Sequence, residues 1–171
     1  MNGNTLPGKE DINIYDSLDE RSAVRNFHGK TLEEIYARLF GEYESLQKDL
    51  AFMGPVAFAY YAQAWERFFL TITKQASDNE NHEWTLESVL RRTKCIISIR
   101  CNSLDTETPE AIAALHRLLA HCEEYYTSET CRQYYAREAR LYGYAESLIN
   151  MPPELQEELE ECAELKARLN Q

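Results

Sequence analysis

The chain has 171 residues and carries 18 Lys+Arg against 29 Asp+Glu, a net charge of −11. Apolar residues make up 44% and charged residues 27%, a globular mix that excludes wholesale disorder. The negative balance argues against the basic footprint of a nucleic-acid binder and against docking on anionic lipid.

Residues 1–16 hold Gly3, Pro7 and Gly8 and read as an irregular N-terminal arm. Ile12, Ile14 and Tyr15 can pack against the body or form a short extended piece. From Ser17 onward the chain reads as one domain, residues 17–171. Ser17 with Glu20 is a capping box, in which a hydroxyl and a carboxylate satisfy free N–H groups at a helix start. It predicts a short helix over 18–28 that stops at Gly29. Thr31 with Glu34 is a second capping box. The apolar residues after it, from Leu32 and Ile35 through Leu46 and Leu50, fall on one helical face. Gly54-Pro55 marks the next boundary, with Pro55 at a first helical position.

The segment 55–75 is apolar over most of its circumference, through Phe58, Tyr61, Ala62, Trp65, Phe68, Phe69 and Ile72. Such a helix belongs in the middle of a bundle. Gln63, Glu66 and Arg67 interrupt it, so it does not read as a membrane span. Residues 76–84 form a polar stretch and read as a loop. Thr85 is the expected cap of a helix carrying Leu86, Val89, Leu90, Thr93, Ile96 and Ile97, although the run at 95–99 is β-prone. Residues 102–108 read as a loop. Thr108-Pro109 starts the next helix, which buries Leu115, Leu118, Leu119 and Cys122. A break at Thr127-Ser128 leads to a helix over 129–149, with Cys131, Tyr134, Tyr135, Leu141, Tyr142, Ala145, Leu148 and Ile149 inward. Pro152-Pro153 opens a last helix over 153–169. The expectation is an all-α, single-domain antiparallel helical bundle of about six main helices plus a short N-terminal one.

The five cysteines contain no CxxC pair, and four of them fit buried helical stripes. The N-terminus lacks a basic n-region and an apolar h-region, so a signal peptide is not expected. A reduced, cytoplasmic setting follows as the expectation.

Tests for chemistry return little. His116, His121 and Cys122 are spaced five and six apart, which splays them around a helix instead of converging on a metal. There is no G-x-S-x-G, no glycine-rich phosphate loop and no Glu-x-x-His pair. No metal or cofactor is expected. Two charges do fall on apolar faces: Glu138, among Tyr134, Tyr135, Leu141 and Tyr142, and Arg100, within the arc of Val89, Thr93 and Ile96. A buried charge must be paired, hydrogen-bonded or neutral. One reading is structural: an Arg100–Glu138 pair, or tyrosine hydroxyls satisfying each charge. The other is a polar pocket of Arg100, Glu138, Tyr134 and His116. Adjacent tyrosines at 60–61, 125–126 and 134–135 put one ring in the core and one at its edge, the amphipathic placement common at interfaces.

The acid is polarised. Residues 151–171 carry −4 of the −11. Glu154, Glu157, Glu160, Glu161 and Glu164 share a face of the last helix, offset there by a Glu164–Arg168 pair. Glu157, Glu160, Glu161 and Glu164 form a candidate steering surface for a basic partner.

The stretches Phe27-His-Gly-Lys30 and Met53-Gly-Pro-Val-Ala-Phe-Ala-Tyr-Tyr61 resemble a pattern in small bacterial helical proteins, over roughly residues 19–70. Some acidic members of such families look like immunity proteins for toxins. The resemblance implies a bacterial cytoplasmic non-enzyme and brings no catalytic residues. The leading expectation is therefore a non-enzymatic acidic protein-interaction module of the immunity-like kind, with a basic protein partner and neither nucleic acid nor membrane. Oligomeric state is left open. The alternative is a ligand-binding or enzymatic bundle with its pocket at Glu138 and Arg100.

Overall fold

A computed structural model describes residues 5–78, 83–144 and 152–170. Among these the protein is all-α, with eight helices and no strand. They are α1 (Lys9–Ile12), α2 (Leu18–Phe27), α3 (Leu32–Phe52), α4 (Pro55–Asp78), α5 (Glu83–Arg100), α6 (Pro109–Thr127), α7 (Glu129–Leu141) and α8 (Pro153–Leu169). A 3-10 segment, Cys101–Thr106, follows α5.

The capping chemistry sets the starts. Ser17 and Glu20, and Thr31 and Glu34, form reciprocal capping boxes. Thr108 and Ser128 accept the N–H groups of Ala111 and Cys131. Each satisfies a donor that the helix itself leaves free. Gly29 ends the α2 turn at φ +73°, where a Cβ would be strained.

α4 is the central helix and touches α1, α3, α5 and α6. It runs antiparallel to α3. Tyr36 meets Thr71 and Phe40 meets Phe68, so residue numbers fall on one helix as they rise on the other. Phe58, Tyr61, Trp65, Phe68, Phe69 and Ile72 are all buried. Their polar atoms have partners. The Tyr61 hydroxyl donates to the Phe27 and Lys30 carbonyls at 2.7 and 2.9 Å, closing the end of α2. Trp65 Nε1 donates to Thr93 at 2.9 Å. α6 joins the two halves, packing on α4 and α5 and carrying α7 and α8.

Several expectations need correction. The arm contains a helical turn, α1, and its Ile12 is fully buried. α5 begins at Glu83, so Thr85 lies inside its first turn and is not its cap. α5 stays helical through the β-prone run to Arg100. α4 runs on to Asp78, so only residues 79–82 of the expected 76–84 loop separate the two helices, and these lie outside the described residues. The loop over 102–108 is largely the 3-10 segment. α7 ends at Leu141 because Gly143 turns left-handed at φ +73°. Leu141 and Tyr142 are each 74% exposed, not inward. The expected burial of Ala145, Leu148 and Ile149 falls outside the described residues. Cys122, Cys131 and Cys162 are buried, but Cys101 is half-buried and Cys95 exposed. Cys95 sits two residues from buried Thr93, about 200° around the helix.

Candidate functional site

Arg100 ends α5 with only 4% of its side chain exposed. Its Nη2 donates to the Glu107 carboxylate at 2.7 Å. Its Nη1 donates to the carbonyls of Met53 at 2.9 Å and Ala51 at 3.2 Å. The guanidinium lies 4.0 Å over the Phe58 ring. Burial lowers the Arg100 pKa, and Glu107 opposes that shift. The Arg100–Glu138 pairing is thus corrected: the 3-10 turn folds Glu107 back onto Arg100, and α3 supplies carbonyls left free at its C-terminal end. This arrangement is structural in kind.

Glu138 and Tyr134 line a different cavity, of about 320 Å³, between α5, α7 and α8. Carboxylates reach it from all three helices: Glu87, Glu138, Glu154, Glu157 and Glu158. Tyr134, Tyr135, Tyr142 and Tyr144 supply its aromatic faces; among the described residues no Lys or Arg lines it, and the Arg137 guanidinium lies 5.6 Å from the Tyr134 ring centroid. Tyr134 donates to Glu87 at 3.3 Å, and Tyr144 donates to Glu154. Burial, then the Glu158 charge, push the Tyr135 hydroxyl far up, so it stays a neutral donor. α7 turns Cys131 and Ala139 inward, four residues either side of half-buried Tyr135, which leaves Glu138 at the edge of the core.

Beneath this cleft lies Lys94, a residue the sequence reading passed over. It is 3% exposed and donates to both Glu158 and Glu161. Its ammonium sits 5.4 Å from the Tyr126 ring centroid, and Tyr126 hydrogen-bonds Glu158. Burial lowers the Lys94 pKa, but the two carboxylates outweigh it and hold the net shift upward. The same periodicity that flags Glu138 was available here. Lys94 is four residues after buried Leu90 and three before buried Ile97. Glu158 likewise sits between buried Leu155 and Cys162.

The acidic face of α8 is therefore divided. Glu161 turns toward Lys94, and Glu157 faces the cleft. Glu160 accepts from Gln156 at 2.8 Å, and Glu164 is exposed. The expected Glu164–Arg168 offset is not made. Arg168 is half-buried and donates to the Ser98 carbonyl at 3.2 Å and to Asn102 at 2.9 Å. His116 is exposed on α6 and joins neither cavity. Its neighbour His121 instead contacts Glu66 at 3.0 Å and stacks on Phe69.

Among the described residues, no group of three or more His, Cys, Asp or Glu side chains is placed to hold a metal ion. No helix among them is long and apolar enough to cross a membrane. Burial pushes the Cys131 thiol up to about 12 and the Cys162 thiol up to about 11, so neither is a thiolate near neutral pH. No protein-family model matches the chain, and no curated protein or solved structure matches it either.

Proposed function

We propose that this chain is a non-enzymatic, acidic protein-interaction module, and that the cleft between α5, α7 and α8 receives Lys or Arg side chains of a basic partner. One observation carries the reading: five carboxylates from three helices, one of them (Glu158) paired with Lys94, converge on a tyrosine-walled cavity with no Lys or Arg among its described lining residues. A guanidinium or ammonium entering it would meet opposite charge and aromatic faces together, a favourable combination when partly desolvated. Glu158 belongs to both groups: Lys94 meets it and Glu161 with a single positive charge, so cleft and cluster together keep a negative excess. An immunity-like inhibitor of a basic protein is one such module. The reading of a single ligand pocket shared by Glu138 and Arg100 has less support, because the two residues line different cavities.

The test is a titration of a fluorescein-labelled Arg-Gly-Arg-Gly-Arg-Gly peptide, followed by anisotropy. Wild type should bind it, and Glu138→Gln with Glu157→Gln should weaken binding about tenfold. Equal binding by the variant, or none by wild type, contradicts the cleft as the site.

A further inference from the structure

Three buried thiols stand outside the lining of the cleft: Cys122 on α6, Cys131 on α7 and Cys162 on α8. Two of them meet across the α6–α8 contact, where Cα atoms of the two helices come within 8 Å of one another. Two polar contacts fix the register. The Tyr126 side chain hydrogen-bonds Glu158, and the Glu123 carboxylate accepts from Lys166 at 2.9 Å. Residue numbers therefore fall along α6 as they rise along α8. That antiparallel register sets Cys122, next to Glu123, within about one helical turn of Cys162, which lies midway between Glu158 and Lys166.

Both residues face inward. Cys122 is 0% exposed and belongs to the buried row of Leu115, Leu118 and Leu119; Cys162 is 1% exposed and belongs to that of Leu155 and Leu165. Burial, then the charge of Cys162, push the Cys122 thiol well up. Lys94, Glu158 and Glu161 act on both thiols, so the two sulfurs share one buried cluster. Cys131 is engaged elsewhere, in a hydrogen bond with Tyr125.

We propose that Cys122 and Cys162 form a redox latch: oxidation by a low-molecular-weight disulfide joins their sulfurs and staples α8 to α6. One protein thiolate attacks a sulfur of the oxidant, releasing one small thiol and leaving a mixed disulfide. The second protein thiolate then displaces the remaining half. The protein gives up two electrons and two protons and gains one S–S bond. The oxidant loses its S–S bond and leaves as two thiols. In the closed fold both sulfurs are protonated and covered, so exchange proceeds through local lifting of α8 from α6 and is slow. α8 also carries Glu154, Glu157 and Glu158 of the cleft, so the staple holds that wall in place. The latch does not depend on what the cleft binds.

The test incubates the folded wild-type chain with about 5 mM oxidised glutathione near pH 8 for about a day, then quenches with acid and maps peptides without reduction by mass spectrometry. The peptides holding Cys122 and Cys162 should appear joined, about 2 Da lighter than the two reduced peptides together. The melting temperature should rise by about 4 °C or more and fall back with dithiothreitol. Cys95 is exposed and should take up glutathione on its own, so Cys95→Ser should keep both the joined peptides and the rise. Cys162→Ala should lose both. Cys122 and Cys162 that stay reduced, that each carry glutathione, or that pair with Cys131 or Cys101 overturn the proposal. A joined pair without the rise in melting temperature also overturns it, because such a bond would not hold α8 in place.

Discussion

Glu20 shows how much one side chain can do. The sequence identifies it as half of a capping box with Ser17. In the fold it also gathers the Ile14 and Tyr15 N–H groups, becoming the buried anchor of the α1–α2 loop. Burial raises its pKa, but the hydrogen bonds from Ser17, Tyr15 and Ile14 overcome that and hold the carboxyl below its ordinary value of 4.5. A carboxylate with a depressed folded pKa contributes stability above its unfolded pKa and loses it as pH falls through the folded one. Glu20→Gln should therefore cost about 1–3 kcal/mol near pH 7. The deficit should shrink below about pH 4, as the wild-type carboxyl protonates. Urea melts at both pH values check this. A deficit independent of pH would mean that packing, not charge, is what Glu20 contributes.

Between elements, Lys94 ties α8 to α5, beside the Arg168–Ser98 hydrogen bonds. Its two partners, Glu158 and Glu161, lie three apart on α8, and Glu161 is half exposed. Removing the ammonium strands two carboxylates at the α5–α8 contact. Lys94→Met should destabilise the fold by about 1–3 kcal/mol, below a fully buried pair because solvent screens Glu161. The triple change Lys94→Met, Glu158→Gln and Glu161→Gln should recover part of the loss in a thermal melt. No recovery would place the cost in the lost lysine packing. The helix starts at Ser17, Thr31 and Thr108 were legible because capping is local, each cap acting within three residues, whereas Thr85 falls inside α5 and Ser128 was read only as a break. The end of α7 was less so, since apolar spacing runs through Leu141 and Tyr142 and gives no sign of the left-handed turn at Gly143. The Arg100 partner was not legible either. Glu107 follows an irregular 3-10 turn, where periodicity gives no direction.

At the scale of the molecule, the net charge of −11 is arranged rather than spread. Part of the acid on α8 is consumed internally: Glu158 and Glu161 hold Lys94. Glu157 and Glu154 join Glu138 and Glu87 around an aromatic cleft. Of the candidate surface read on α8, Glu157 alone lines this cleft, while Glu160, Glu161 and Glu164 do not. Tyr134 and Glu138, flagged for lying on an apolar face, form its α7 wall. Their convergence depends on tertiary packing, which helical spacing cannot encode. The most direct test of an electrostatic cleft is the salt dependence of arginine-glycine peptide binding by wild type and by the Glu138→Gln, Glu157→Gln variant. The account predicts that wild-type affinity falls steeply between about 50 and 500 mM salt and converges on that of the variant. Parallel salt curves, with the same gap at both ends, would contradict it.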